Sequence, residues 1–131
     1  MQGRAVEELT VKALLTEVAL RRFEPGAYRF CGDTKCDVVY FDDAGHVFRK
    51  DDLRVPVWQK EPAGARILCY CFGETETDIR QEIVLVGKSS AAQRVREHIA
   101  AGRCACEVRN PRGACCLGDV TEAVKRMQDH A

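Results

Sequence analysis

Between residues 27 and 58 the apolar positions come in short runs separated by turn formers. They are residues 27–30, then Val38-Val39-Tyr40-Phe41, then Val47-Phe48, then residues 53–58. Val, Tyr and Phe suit a pleated, half-buried surface, and Asp42-Asp43-Ala44-Gly45 between the second and third runs is a hairpin turn. The pattern predicts a small β meander. Before it, a weakly periodic stretch over residues 9–23 is stopped by Glu24-Pro25-Gly26 and predicts a helix or an irregular arm. From residue 75 the period becomes helical. Thr75-Glu76-Thr77-Asp78 forms an N-cap with an acidic third residue, Ile79, Ile83, Val84 and Val86 follow, and Gly87 closes the helix. Ser90, with Gln93 at capping-box spacing, predicts a second helix carrying Val95 and Ile99 and stopped by Gly102. A third follows Gly118, with Val120, Ala123, Val124 and Met127 on one face. Residues 59–66 (QKEPAGAR) mix Pro, Gly and charge, which predicts a boundary between two small units, 1–62 and 63–131.

Composition narrows the partners. The 131 residues carry 20 basic and 20 acidic side chains, so the chain lacks the broad basic field of a nucleic-acid binder or an anionic-membrane binder. Charge is balanced locally too, with 10 basic and 11 acidic residues up to Ala65 and 10 and 9 beyond it. No apolar run approaches the roughly 18 to 20 residues that span a bilayer. The first residues, MQGRAVEELTVKALL, do not read as a secretory signal, which predicts a cytoplasmic protein. Three short helices with few apolar residues make a thin core, and a unit of about 65 residues often relies on a metal as a staple.

The cysteines change the picture most. There are eight, grouped as Cys31 and Cys36, then Cys69 and Cys71, then Cys104, Cys106, Cys115 and Cys116. In a reducing compartment that number points to metal or redox chemistry. Cys69-Tyr70-Cys71 directly precedes the first helix of the second unit, and the last four lie between its second and third helices. Two ligands from each loop give a four-thiolate cage, suited either to tetrahedral zinc or to a [2Fe–2S] cluster. Cys-x-Cys spacing decides only partly between them. The loop composition leans to the cluster: Gly73, Gly102, Gly113 and Gly118 surround the cysteines, and Asn110-Pro111-Arg112-Gly113 is a turn that folds the loop back. Arg103, Arg109 and Arg112 either offset the charge of such a cluster or are solvated.

Cys31-x4-Cys36 sits between two strand-like runs, as half of a zinc knuckle does. A structural zinc takes four protein ligands. His46, Asp37 or the same pair from a second chain are candidates to complete it, and a disulfide or a vacant thiol pair stay open. His98 and His130 read as solvated. The chain has no phosphate-binding glycine loop, and no paired carboxylates or Ser-His-Asp order stand out, so an enzyme is not expected.

The strings CYCFGETETDIRQEI and AGRCACEVRNPRGACCLGDVTEAVK resemble the small helical [2Fe–2S] domain of bacterioferritin-associated ferredoxin. More closely, the chain from about Thr10 resembles the N-terminal region of the CopZ-type iron–sulfur copper chaperones. In it, YRFCGDTKCDVVYFDDAGHVFRKDDLRVPV is similar to that family's zinc-binding subdomain. The resemblance implies an α+β chain: a small zinc-ribbon-like β subdomain followed by a small helical [2Fe–2S]-binding subdomain. Aligning the loop on Asn110-Pro111-x-Gly113 implies Cys69, Cys71, Cys106 and Cys116 as cluster ligands, with Cys104 and Cys115 as spares, and Cys31 and Cys36 as the metal pair. Two departures stand out. The family's zinc subdomain usually opens with a Cys-x2-Cys pair, and no cysteine precedes Cys31. No Met-x-Cys-x-x-Cys loop of a copper-carrying domain occurs in the 131 residues.

The implied role is metal handling that supports copper trafficking, with one-electron reduction of Cu(II) to Cu(I). The implied cofactors are [2Fe–2S], zinc and Cu(I). The implied partners are copper or another metal ion, and a copper carrier, a copper ATPase or a redox partner. The alternatives are a ferredoxin-like electron-transfer partner unrelated to copper, and a zinc-only interaction module.

Overall fold

The computed structural model describes residues 3–129, which group into two compact units. The first holds residues up to Glu61 together with Glu107–Ala114; the second holds Pro62–Cys106 and Cys115 onward. The segment 107–114 thus folds with the first unit, although it lies far beyond the sequence boundary near residue 62.

The first unit is built on a four-stranded antiparallel sheet in the order β1-β2-β3-β4, with β1 at Arg4–Val6, β2 at Tyr28–Phe30, β3 at Val38–Phe41 and β4 at Val47–Arg49. β1 was not legible: it is an edge strand of three largely exposed residues, too short to show a period. The expected hairpin turn joins β3 to β4, with Gly45 at φ +93° supplying the left-handed step. All four residues of β3 are buried. A bulge between Val38 and Tyr40 lets Val39 and Tyr40 both join the main core, while Val38 and Phe41 pack with Cys31 in a second, smaller cluster. Two short helices, α1 (Glu8–Leu14) and α2 (Glu17–Leu20), take the place of the single helix or arm expected over residues 9–23. They bury Val11, Leu14 and Ala19 in the main core beside Tyr28, Phe30 and Phe48.

Residues 53–58 do not form the expected strand. Leu53 makes one bridge to Leu15, Arg54 donates from its backbone N–H to Leu14 O and from Nε to Leu15 O, and Pro56 lacks the N–H that a ladder needs. The chain then closes into a 3-10 turn at Trp58–Lys60. The 107–114 segment packs on the same core: the Tyr40 hydroxyl donates to Pro111 O at 2.5 Å, and Gly113 (φ +73°) sits where a Cβ would lie 3.1 Å from Thr10 Oγ1.

The second unit has a hairpin that the sequence did not suggest, β5 (Ile67–Cys69) with β6 (Glu74–Thr75), then helices α3 (Glu76–Val86), α4 (Ala91–Ala100) and, after the single turn α5 (Cys106–Arg109), α6 (Leu117–Asp129). Thr75 caps α3 by accepting the Asp78 N–H at 3.1 Å, and Gly87 ends it at φ +90°. Of the apolar residues placed on α3, Ile79 and Ile83 are buried, whereas Val84 and Val86 face solvent. Ser90 is the N-cap of α4, as expected, but its side chain makes no capping bond; the Ser89 Oγ accepts the Ala91 N–H at 3.1 Å instead. Glu76, at the head of α3, is 2% exposed; its Oε1 accepts the Gly64 and Arg66 N–H groups and Arg66 Nε, and its Oε2 accepts Arg66 NH2. No helix among the described residues is long and apolar enough to cross a membrane.

Candidate metal centre

Four elements of the second unit converge through sulfur. Cys69 ends β5 and is fully buried. The chain turns at once, with the Gly73 N–H donating to Cys69 O at 2.8 Å and Gly73 at φ +70°, so Cys71 sits in a tight loop. Cys106 opens a helical turn at 7% exposure, and Cys116 lies one residue before α6 at 1%. The Cys71 and Cys106 sulfurs are 3.7 Å apart, and Cys69 and Cys116 are hydrogen-bonded to each other. Cys106 and Cys116 also act on one another electrostatically, and Cys115 acts on both. The four cysteines implied by the family resemblance are therefore brought together as two pairs. Cys115 is exposed beside them, and Cys104 is exposed in the loop before Cys106.

The hydrogen bond from Cys116 brings the Cys69 thiol down to about 7 despite its burial. Burial first, and then the charge of Cys71, push Cys106 up to about 12. Cys116 is driven far up, first because it holds the proton that Cys69 gives up and then by burial. Buried thiols of this kind ionise together only when a cation compensates them. Two thiolates on one tetrahedral metal, with metal–sulfur bonds of about 2.3 Å, stand about 3.8 Å apart; the Cys71–Cys106 separation matches. Among the described residues no group of three or more His, Cys, Asp or Glu side chains is arranged to hold a metal ion. The thiols come in twos, as each iron of a binuclear cluster takes them, and the donor set fits [2Fe–2S]. The Ala105 N–H donates to Cys71 Sγ at 3.2 Å, a backbone–sulfur bond the sequence could not announce. Phe72, beside Cys71, stacks on His98 at 4.2 Å, and His98 meets Arg103 at 3.1 Å. His98 is thus engaged by both side chains while still part-exposed on the surface of α4; His130 lies outside the described residues. Arg109 and Arg112 belong to the segment that folds with the first unit.

In the first unit, Cys31 is 2% exposed and packs with Val38 and Phe41, with half-buried Cys36 against them. The two residues proposed to complete the site are engaged elsewhere. Arg49 holds Asp37 at 2.5 Å, and the His46 ring holds Asp42 at 2.7 Å. Lys60 is an unanticipated neighbour. It is 7% exposed, and its ammonium donates to Asp33 O at 2.8 Å and Cys36 O at 2.6 Å. Nothing in residues 57–60 (VWQK) marks that lysine as inward.

Comparison with known proteins shows what the chain as a whole is similar to. Residues 1–54 match the zf_CopZ family, described as a zinc binding domain. Copper chaperone CopZ of Archaeoglobus fulgidus is 35% identical over 138 residues, covering 97% of this chain and 65% of that protein. The chain therefore spans just under two thirds of the curated relative's length. The X-ray structure of the Archaeoglobus fulgidus CopZ N-terminal domain is similar with a TM-score of 0.74 at 32% identity, covering 93% of this chain and 91% of that one.

Proposed function

Because the chain belongs to the family of the CopZ N-terminal domain, we propose that it is a non-enzymatic [2Fe–2S] accessory protein that supports copper trafficking, with Cys69, Cys71, Cys106 and Cys116 as its cluster ligands. The pairing of Cys71 with Cys106 and of Cys69 with Cys116 carries this reading. When bound, the cluster supplies a single electron, the number that separates Cu(II) from Cu(I).

The chain's own residues set the conditions. Burial of Cys69 and Cys116 keeps water from two of the sulfurs. The Ala105 N–H on Cys71 Sγ stabilises negative charge there, which favours the reduced state of whatever this thiolate binds. Cys71 is the half-buried member of the four and the natural side for electron exchange. In the first unit, Cys31 and Cys36 are the metal-binding pair.

Anaerobically purified protein tests this through its visible and EPR spectra, with iron, sulfide, zinc and copper quantified in the same sample. Two iron and two sulfide per chain, a dithionite-dependent EPR signal and reduction of added Cu(II) are expected. Colourless protein holding zinc alone would sink the electron-transfer reading in favour of an interaction module. A reducible cluster that leaves Cu(II) untouched would make it a ferredoxin.

A further inference from the structure

The two thiol pairs of the second unit sit in unequal electrical surroundings. Cys69, in β5, has Glu74 as its cross-strand partner in β6, and residues directly opposite on a sheet stand about 4.5–5.5 Å apart at Cβ. Glu74 is 8% exposed, and its carboxylate accepts Arg94 Nε at 2.9 Å and NH2 at 3.0 Å. The same guanidinium holds Glu82, at 2.8 and 3.2 Å. One arginine between two carboxylates leaves a negative charge in excess beside Cys69. The Cys71–Cys106 pair has instead the Ala105 N–H on Cys71 Sγ at 3.2 Å. We propose that Glu74 biases the four-thiol site so that a transferred electron settles at the Cys71–Cys106 end. This deepens the electron-transfer reading above and rests on it.

Three observations support it. The first is proximity: besides the strand register, the Glu74 charge acts on Cys69 and disfavours negative charge at its sulfur. The second is the medium. Cys69 is 0% and Cys116 1% exposed, so a neighbouring carboxylate is little screened there. The third lies at the other end, where a backbone N–H donates to Cys71 and that sulfur is half-buried. A hydrogen bond to sulfur and access to solvent both favour added negative charge. In the step itself a one-electron donor is oxidised, and the iron held by Cys71 and Cys106 passes from ferric to ferrous. The iron held by Cys69 and Cys116 stays ferric, and no bond to sulfur breaks. Return of that electron to Cu(II) gives Cu(I). The excess carboxylate charge also makes the site as a whole a more willing donor, which suits a copper reductant.

The test is redox titration and proton NMR of the cluster-loaded protein. It compares the parent with Glu74→Gln, Arg94→Gln, Arg94→Lys and Glu74→Gln/Arg94→Gln, each checked for iron, sulfide and visible spectrum. Glu74→Gln should shift the one-electron equilibrium about tenfold toward the reduced form, which is about 59 mV. Arg94→Gln, which leaves two carboxylates uncompensated, should shift it the other way. Arg94→Lys and the double variant should lie between the two. In the reduced parent, the temperature dependence of the shifted cysteine Hβ resonances should show ferrous behaviour at Cys71 and Cys106 and ferric behaviour at Cys69 and Cys116. Should Arg94→Gln fail to load, Arg94→Lys and the parent's NMR pattern still decide. Shifts of the same sign in Glu74→Gln and Arg94→Gln, as a merely structural disturbance gives, would overturn the proposal. So would an unmoved potential in Glu74→Gln, or a ferrous pattern at Cys69 and Cys116. Failure of the broader reading shows separately, as a parent protein without iron and sulfide, and takes the proposal with it.

Discussion

Glu76 shows how one buried carboxylate organises the second unit. Burial alone would raise its pKa, but the hydrogen bonds from Arg66 and from the Gly64 and Arg66 backbone bring it down to about 2. Glu82 is brought down to about 2 as well, chiefly by Arg94 and Ser89. A carboxylate lowered on folding adds stability that is complete above its ordinary value near 4.5 and disappears as pH falls toward 2, because the unfolded chain binds the proton first. Acid titration of unfolding should therefore show stability falling between about pH 4.5 and 2. Glu76→Gln should flatten that dependence and cost roughly 3 kcal/mol in urea unfolding at neutral pH, since it strands the buried Arg66 guanidinium. A variant as stable and as acid-sensitive as the parent would show that the Arg66 pair contributes nothing. At this scale the sequence was informative about chemistry and silent about burial. Cysteine spacing and the family's loop pattern led to the thiols that pair, yet neither Glu76 nor Lys60 is distinguishable in sequence from a solvated charge. Their burial is decided by residues 10 to 27 positions away.

At the scale of elements, local signals succeeded where the chain closes its own hydrogen bonds. The Thr75 cap, the Gly87 and Gly102 stops and the turn after β3 depend on neighbours a few residues apart, and all stand in the structure. They failed where a partner arrives from afar. The capping hydrogen bond of α4 comes from Ser89, one residue before the N-cap Ser90, because its hydroxyl also donates to Glu82 at 2.5 Å, across a turn that helix-start rules do not see. Ser89→Ala should accordingly lower stability by roughly 1–2 kcal/mol, whereas Ser90→Ala, which removes no side-chain cap, should stay within about 0.5 kcal/mol. Equal effects in thermal unfolding would contradict the assignment. Residues 53–58 read as a strand for the opposite reason. Their apolar side chains are genuine core, but the backbone is spent on α1, the 3-10 turn and a proline.

For the whole molecule, the ligand set makes a graded prediction. Cys71→Ser or Cys116→Ser should abolish the cluster spectrum, and Cys104→Ser should leave it intact; a full spectrum in Cys116→Ser would move the ligand to its neighbour Cys115. The other large-scale feature is the return of residues 107–114 to the first unit, which no boundary signal near residue 62 foretold. Tyr40→Phe, which removes the bond to Pro111, should cost about 1 kcal/mol and lower the midpoint of the first unit's unfolding. The two units are consequently not separable goods in evolution or in the laboratory. A gene fragment ending at Glu61 would encode a sheet missing the strap that covers Tyr40 and Thr10. A fragment beginning at Pro62 would carry that strap with nothing of its own to cover. Recombination can exchange this pair of units between proteins only as a single cassette.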